Sequence, residues 1–283
     1  MKRAIDFNTI KAIFIDLSGT IHISNKPIPG AIEACKRLFH KTSSKDVQIK
    51  FLTNTTTVSS NTLLQNLRTI GFDKDCIPID TYIMTSVNAT KEFLMSKDLR
   101  PLCLVESDLL EYDLKNVNFD NPNCVLVGLS PDSFNYNDLN KAFRLIEKLK
   151  KVEHEHPLII AMHRANYIRV DDGELSLGPG AFIAALEAAT GITAKVIGKP
   201  NPSFFNAGLS NLGVKAEESI MIGDDIRQDI AGSFDANFAG GILVRTGKYC
   251  NGDESMIDGV IPSFVADSFV EAVDFICDGL DKI

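Results

Sequence analysis

Short, strongly apolar runs alternate along this chain with longer stretches in which apolar positions recur at helical spacing. That alternation predicts parallel sheets joined by crossover helices rather than a sandwich or a bundle. Strands are expected at 12–15, 48–52, 82–84, 102–105, 124–127, 158–161, 195–197, 219–222 and 241–244. Helices are expected from Pro29-Gly30 onward, with Ile32, Leu38 and Phe39 on one side, from Ser59 or Ser60 to a stop at Gly71, and over 86–95 and 137–150. Further helices are expected over 181–189, after the Asn201-Pro202 start signal, over 226–234, and over 268–277. The segment 107–123 is polar, rich in Asp and Asn, and reads as a surface excursion of a smaller inserted unit. The reading is therefore a doubly wound α/β core in two parts, 1–84 and 191–283, with a smaller α/β domain inserted at 85–190. Hinges are expected near 85–97 and 178–191.

The 283 residues suffice for two moderate domains, and 45% hydrophobic against 23% charged residues describes a globular chain with material for a sizeable core. The net charge of −8 is spread along the chain without a basic block, which argues against nucleic acid as a partner. No run approaches the roughly 18 apolar residues that would span a bilayer, and residues 1–8 lack a signal-peptide core, so no membrane association and a cytoplasmic location are expected. The six cysteines form no CxxC pair and read as reduced, mostly buried thiols.

Four motifs sit at strand ends: Asp16-Leu17-Ser18-Gly19-Thr20, Thr53-Asn54, Gly198-Lys199-Pro200, and Gly223-Asp224-Asp225 with Asp229. In a parallel sheet such ends open onto one crevice, which would gather carboxylates, a hydroxyl, an amide and an ammonium. The mixture suits a hard divalent cation together with a phosphoryl group. Mg²⁺ prefers carboxylate, carbonyl, water and phosphate oxygens, and Asp16 and Asp224 are the candidate carboxylates. Lys199 would offset phosphoryl charge, Thr53 and Asn54 would donate hydrogen bonds, and Asp16 could attack phosphorus to form an aspartyl-phosphate.

In order and wording these motifs resemble those of the haloacid dehalogenase superfamily of phosphohydrolases, over nearly the whole chain. The resemblance implies an Asp16 that is both nucleophile and magnesium ligand, with Leu17 and Ser18 contributing to the substrate site and the Ser18 backbone carbonyl binding the metal. It further implies phosphate binding by Thr53 and Lys199, a substrate contact at Asn54, a metal ligand at Asp224, and support from Gly19, Asp225 and Asp229. The insertion between the Thr53 and Lys199 motifs is similar to the large α/β cap of one branch of that family. Capped relatives often pair through their caps, which implies a homodimer. The expected substrate is a small phosphorylated molecule.

Ser18 departs from the pattern, because most phosphatases of this superfamily carry a second Asp there. Serine keeps the carbonyl and loses the carboxyl that protonates the leaving group. A positioned general acid is worth about a hundred- to ten-thousand-fold in rate. Slow turnover of alkyl phosphates is therefore expected, with preference for better leaving groups such as pyrophosphate, aryl or acyl phosphates and phosphoramidates. The alternative is a phosphate- or metal-binding module with little catalysis. Elsewhere, His154 and His156 read as a solvated helix end, His163-Arg164 as a loop that either faces substrate or is surface, and His22 as a weak candidate. Gly178-Pro179-Gly180 lacks the third glycine of a dinucleotide fingerprint, and Gly247-Lys248 is followed by Tyr249 where a P-loop needs Ser or Thr.

Overall fold

The computed structural model describes residues 3–78, 82–152, 156–169 and 174–282. In chain order the elements are β1 (Ala12–Asp16), β2 (His22–Ile23), β3 (Lys26–Pro27), α1 (Ala31–Ser43), β4 (Gln48–Thr53), α2 (Ser60–Thr69), β5 (Ile83–Thr85) and α3 (Ser86–Ser96). There follow β6 (Pro101–Leu104), α4 (Ser107–Glu111), β7 (Cys124–Val127), α5 (Tyr136–Leu149), β8 (Leu158–Ala161), β9 (Tyr167–Arg169), β10 (Leu175–Leu177) and α6 (Pro179–Thr190). The last are β11 (Lys195–Val196), α7 (Pro202–Leu212), β12 (Ser219–Gly223), a π-helix (Ile226–Ala231), α8 (Gly232–Asp235), β13 (Gly240–Val244), β14 (Phe264–Ala266) and α9 (Phe269–Asp281). They divide into two units, one comprising Met1–Thr53, Leu64–Met84 and Lys199–Ile283, the other Asn54–Leu63 and Thr85–Gly198.

The first unit is built on a six-stranded sheet of order β14-β13-β12-β1-β4-β5. The pairs from β14 to β4 are parallel. Strands β1, β12 and β13 are buried along their whole length, as central strands covered on both faces must be, which is why they read as unbroken apolar runs. Helix α1 packs against α9, and Phe14 of β1 meets Phe238 with ring centroids 5.1 Å apart. The chain leaves β1 for β4 on one side of the sheet, and β12 lies on the other side. The carboxyl ends of β1 and β12 thus form the switch point at which open α/β sheets bind ligands.

The second unit has its own parallel sheet, β11-β8-β7-β6, covered by the apolar faces of α5 and α6. Asn135 caps α5 by accepting from Asp138 N–H at 3.0 Å, and Phe134 stacks on Phe182 at 3.9 Å. Helix α6 opens with Pro179 in its first turn and stops at Gly191, whose φ of +68° is the left-handed stop expected of glycine.

Three expectations are corrected. The boundary at 190 is too early, since Lys195 and Val196 pair with Ile160 and Ala161 of β8, and Gly198 N–H continues the ladder to Met162 O at 2.9 Å. Strand β11 therefore belongs to the inserted sheet, and the core resumes at Lys199. Residues 54–63 also join the inserted unit, where Asp108 and Asp113 accept from Ser59 and Ser60 N–H at the start of α2. The second expected hinge falls within α6 and its flanks, inside that unit. The hairpins β2–β3 and β9–β10 and strand β14 were not expected, and the 226–234 helix is π-helical up to Ala231. All six cysteines are free; Cys35, Cys76 and Cys124 are buried and Cys250 is exposed. No helix among the described residues is long and apolar enough to cross a membrane.

Candidate active site

Asp16 ends β1 and is nearly buried, because the chain turns immediately after it. The Leu17 carbonyl accepts from Thr20, Ile21 and His22 N–H at 3.2, 3.0 and 3.4 Å, and Gly19 N–H donates to His22 O at 2.7 Å. Gly19 takes φ +93°, a conformation that disfavours a side chain. This tight turn leaves Ser18 exposed and holds Thr20 so that its hydroxyl donates to Asp16 Oδ2 at 3.0 Å. The Leu17 side chain is fully buried in the core. With its carbonyl engaged in the turn, the N–H is what this residue has left to offer a ligand.

Lys199 Nζ lies 2.5 Å from Asp16 Oδ1, 2.7 Å from Asp229 Oδ1 and 3.1 Å from Leu52 O. Asp229 is placed by the turn after β12. Its Oδ2 accepts from Asp225 N–H at 3.1 Å, and a Cβ on Gly223 would lie 2.2 Å from that same oxygen. Asp225 caps the π-helix, its Oδ1 accepting from Arg227 and Gln228 N–H at 3.0 Å each. Asp224 is buried, and its Oδ2 accepts from Lys248 N–H at 2.6 Å. Ligand oxygens of Asp16, Asp224 and Asp229 all lie within 4.8 Å of one another, and among the described residues this is the one His, Cys, Asp or Glu grouping suited to a metal ion.

Burial and charge set the electrostatics. Burial alone would lower the Lys199 pKa, but Asp16 and Asp229 more than reverse this and keep it charged. Burial raises Asp229 to about 7 against the pull of Lys199, and Asp16 adds to the rise. Asp224 is held well above the usual carboxylate range by burial and then by Asp16 and Asp229. A hard divalent cation among these oxygens would relieve that repulsion, so the donor set fits one of the oxygen-preferring metals.

The remaining expected residues divide. Thr53 ends β4 and is buried one position past Leu52, which is in register with Asp16. Asn54 belongs to the inserted unit, where its Oδ1 would lie 2.3 Å from a Cβ on Gly198. His163 is buried, with Nε2 3.1 Å from Thr56 Oγ1, and Arg164 forms two 2.5 Å bonds to Glu187, so the loop is tied into its own unit. His22 Nδ1 lies 2.9 Å from Ser24 O while Nε2 is buried without a partner. His154 lies outside the described residues and His156 is exposed. Thr20 of the first motif meets Asp16, while Thr246 and Lys248 were not expected at the site. The one available signal for the last two is Gly247, a glycine in a polar stretch after a strand.

Comparison with known proteins bears on this arrangement. The family description "haloacid dehalogenase-like hydrolase" matches residues 13–120, and a "HAD-hydrolase-like" description matches 196–272. The chain is 43% identical over 267 residues to human (Homo sapiens) haloacid dehalogenase-like hydrolase domain-containing protein 2, covering 94% of this chain and 96% of that protein. It is 34% identical over 268 residues to phospholysine phosphohistidine inorganic pyrophosphate phosphatase of Xenopus laevis, covering 93% and 92%. A p-nitrophenyl phosphatase structure from Archaeoglobus fulgidus superposes with a TM-score of 0.79 at 26% identity, covering 94% of this chain and 99% of the other.

Proposed function

Because the chain belongs to the haloacid dehalogenase superfamily of hydrolases, we propose that it is a Mg²⁺-dependent phosphatase acting through an aspartyl-phosphate on a small phosphorylated substrate. The observation that carries the reading is the meeting of Asp16 and Asp229 on Lys199 with Asp224 within metal-binding reach.

Asp16, Asp224 and the Ser18 carbonyl would hold the metal, which when bound supplies positive charge to the phosphoryl oxygens. The chain's own residues do the rest. Thr20 and Lys199 orient the Asp16 carboxylate, which attacks phosphorus as the bond to the leaving group breaks. Lys199 offsets charge on the phosphoryl oxygens, and the Thr53 hydroxyl donates to one of them. Water then cleaves the acyl phosphate, regenerating the carboxylate and releasing inorganic phosphate.

Ser18 offers no carboxyl to protonate a leaving group, so pyrophosphate, aryl or acyl phosphates and phosphoramidates are the favoured substrates. The same substitution favours a second reading, a phosphate- and metal-binding module with little turnover. Phosphate release from 4-nitrophenyl phosphate and from pyrophosphate, with and without Mg²⁺, separates the two. The phosphatase reading expects Mg²⁺-dependent release that Asp16→Asn abolishes. Phosphate binding without release in the unaltered chain would favour the binding module.

A further inference from the structure

The loop after β13 is pinned to the turn after β1 and to the acid cluster. Thr246 Oγ1 donates to Gly19 O at 2.5 Å, and Lys248 N–H donates to Asp224 Oδ2 at 2.6 Å. Between them Gly247, at φ +58°, leaves no room for a side chain, since a Cβ there would lie 2.0 Å from Asp224 Oδ2 and 2.4 Å from Gly19 Cα. The backbone of Lys248 is thereby held against Asp224, and its Nζ lies 3.6 Å from Asp225 Oδ2. Burial draws its pKa down, yet Asp224 and Asp225, with smaller contributions from Asp16 and Asp229, more than reverse that. Lys199 is already committed to Asp16 and Asp229. On the side of Asp224 and Asp225, Lys248 is the neighbouring cation.

We propose that Lys248 is a charge-setting residue of the acid cluster, lowering its affinity for a divalent cation and raising its affinity for a phosphate oxyanion. The inference rests on the metal and phosphate site proposed above. It assigns Lys248 no bond to the reacting atoms; the residue acts through the potential at Asp224 and Asp225. A positive charge held beside Asp225, next to Asp224 in the chain, opposes a second cation and attracts an anion, and in a partly hydrated site the effect is about three- to tenfold on each equilibrium. The two effects have opposite signs, which a packing role for the loop would not produce.

The test is calorimetric titration of the full chain with Mg²⁺ alone, then of the Mg²⁺-saturated protein with inorganic phosphate, for the unaltered chain, Lys248→Met and Lys248→Arg. Lys248→Met is expected to bind Mg²⁺ about three- to tenfold more tightly and phosphate about three- to tenfold more weakly, both shifts shrinking at high salt. Lys248→Arg should return both toward the original values. Weakening of both ligands together, or no shift in either, overturns the proposal. These binding readouts are independent of turnover: an unaltered chain that binds both ligands without releasing phosphate defeats the phosphatase reading and leaves Lys248 to be judged on its own shifts. An unaltered chain that binds no Mg²⁺ overturns both.

Discussion

Lys199 Nζ sits 2.5 Å from Asp16 Oδ1, although 183 positions separate the two residues in the chain. Both side chains are almost wholly buried, so the pair depends on its geometry being complete. Lys199→Met leaves Asp16 and Asp229 without their shared cation. Loss of one partner from a buried ion pair costs about 3–5 kcal/mol. Urea unfolding at neutral pH should show a destabilisation of that order, accompanied by loss of phosphate release. An unchanged unfolding midpoint would mean that the pair is not formed as described.

Gly19 packs against Asp224 as closely as a glycine can, a Cβ there falling 2.0 Å from Asp224 Oδ2, and its φ of +93° is itself unfavourable to a side chain. Gly19→Ala is therefore expected to displace Asp224 and to weaken Mg²⁺ binding by at least about tenfold, since roughly 1.4 kcal/mol is enough for that and backbone strain of this kind costs on the order of 1–3 kcal/mol. Calorimetry with Mg²⁺ checks it. Retention of full affinity would show that Asp224 is not held by this contact.

Much of this site was legible because its chemistry is local. Asp16 and Asp224 each end a buried apolar run, and such a run followed by a carboxylate and a turn can be recognised without knowing what lies across from it. What stayed hidden depends on partners distant in sequence. Residues 195–196 look like a strand in any context, and only pairing with β8 assigns them to the inserted sheet. The hairpin β2–β3 has two residues per strand, too few to show a period of two. An acid in the first turn of a helix, as Asp229 is, has a local use in the helix dipole, and the turn after β12 is what brings it onto Lys199. Leu17 lies inside the motif, yet its apolar side chain turns into the core.

Ser18→Asp restores the carboxyl absent from the first motif, on a residue that is exposed. Steady-state turnover of alkyl phosphates is expected to rise by up to about a hundred- to ten-thousand-fold, with a much smaller gain on 4-nitrophenyl phosphate, whose leaving group needs little protonation. Equal gains on both, or none on the alkyl ester, would remove Ser18 as the cause of leaving-group selectivity.

Within the inserted unit, Arg164 and the N–H of Ala194 both bind Glu187. The hydrogen bond from Arg164 is the main cause holding the Glu187 carboxyl below its ordinary value of 4.5. A depressed carboxylate pKa adds stability that is present above the unfolded value and is lost as pH falls through the folded one. Glu187→Gln should therefore cost up to about 1 kcal/mol at neutral pH, and the difference from the unaltered chain should disappear under acid conditions below the ordinary carboxylate range. Thermal unfolding across that range is the measurement, and a difference that persists unchanged in acid would point to packing instead.

In the proposed reaction Asp16 carries the phosphoryl group. Acid quenching during turnover of 4-nitrophenyl phosphate, followed by peptide mass spectrometry, reads this directly. A hydroxylamine-labile phosphoryl group is expected on the peptide containing Asp16 and is absent from Asp16→Asn, which also releases no phosphate. Phosphate release by Asp16→Asn at the original rate, or a phosphoryl group trapped on a different residue, would contradict it.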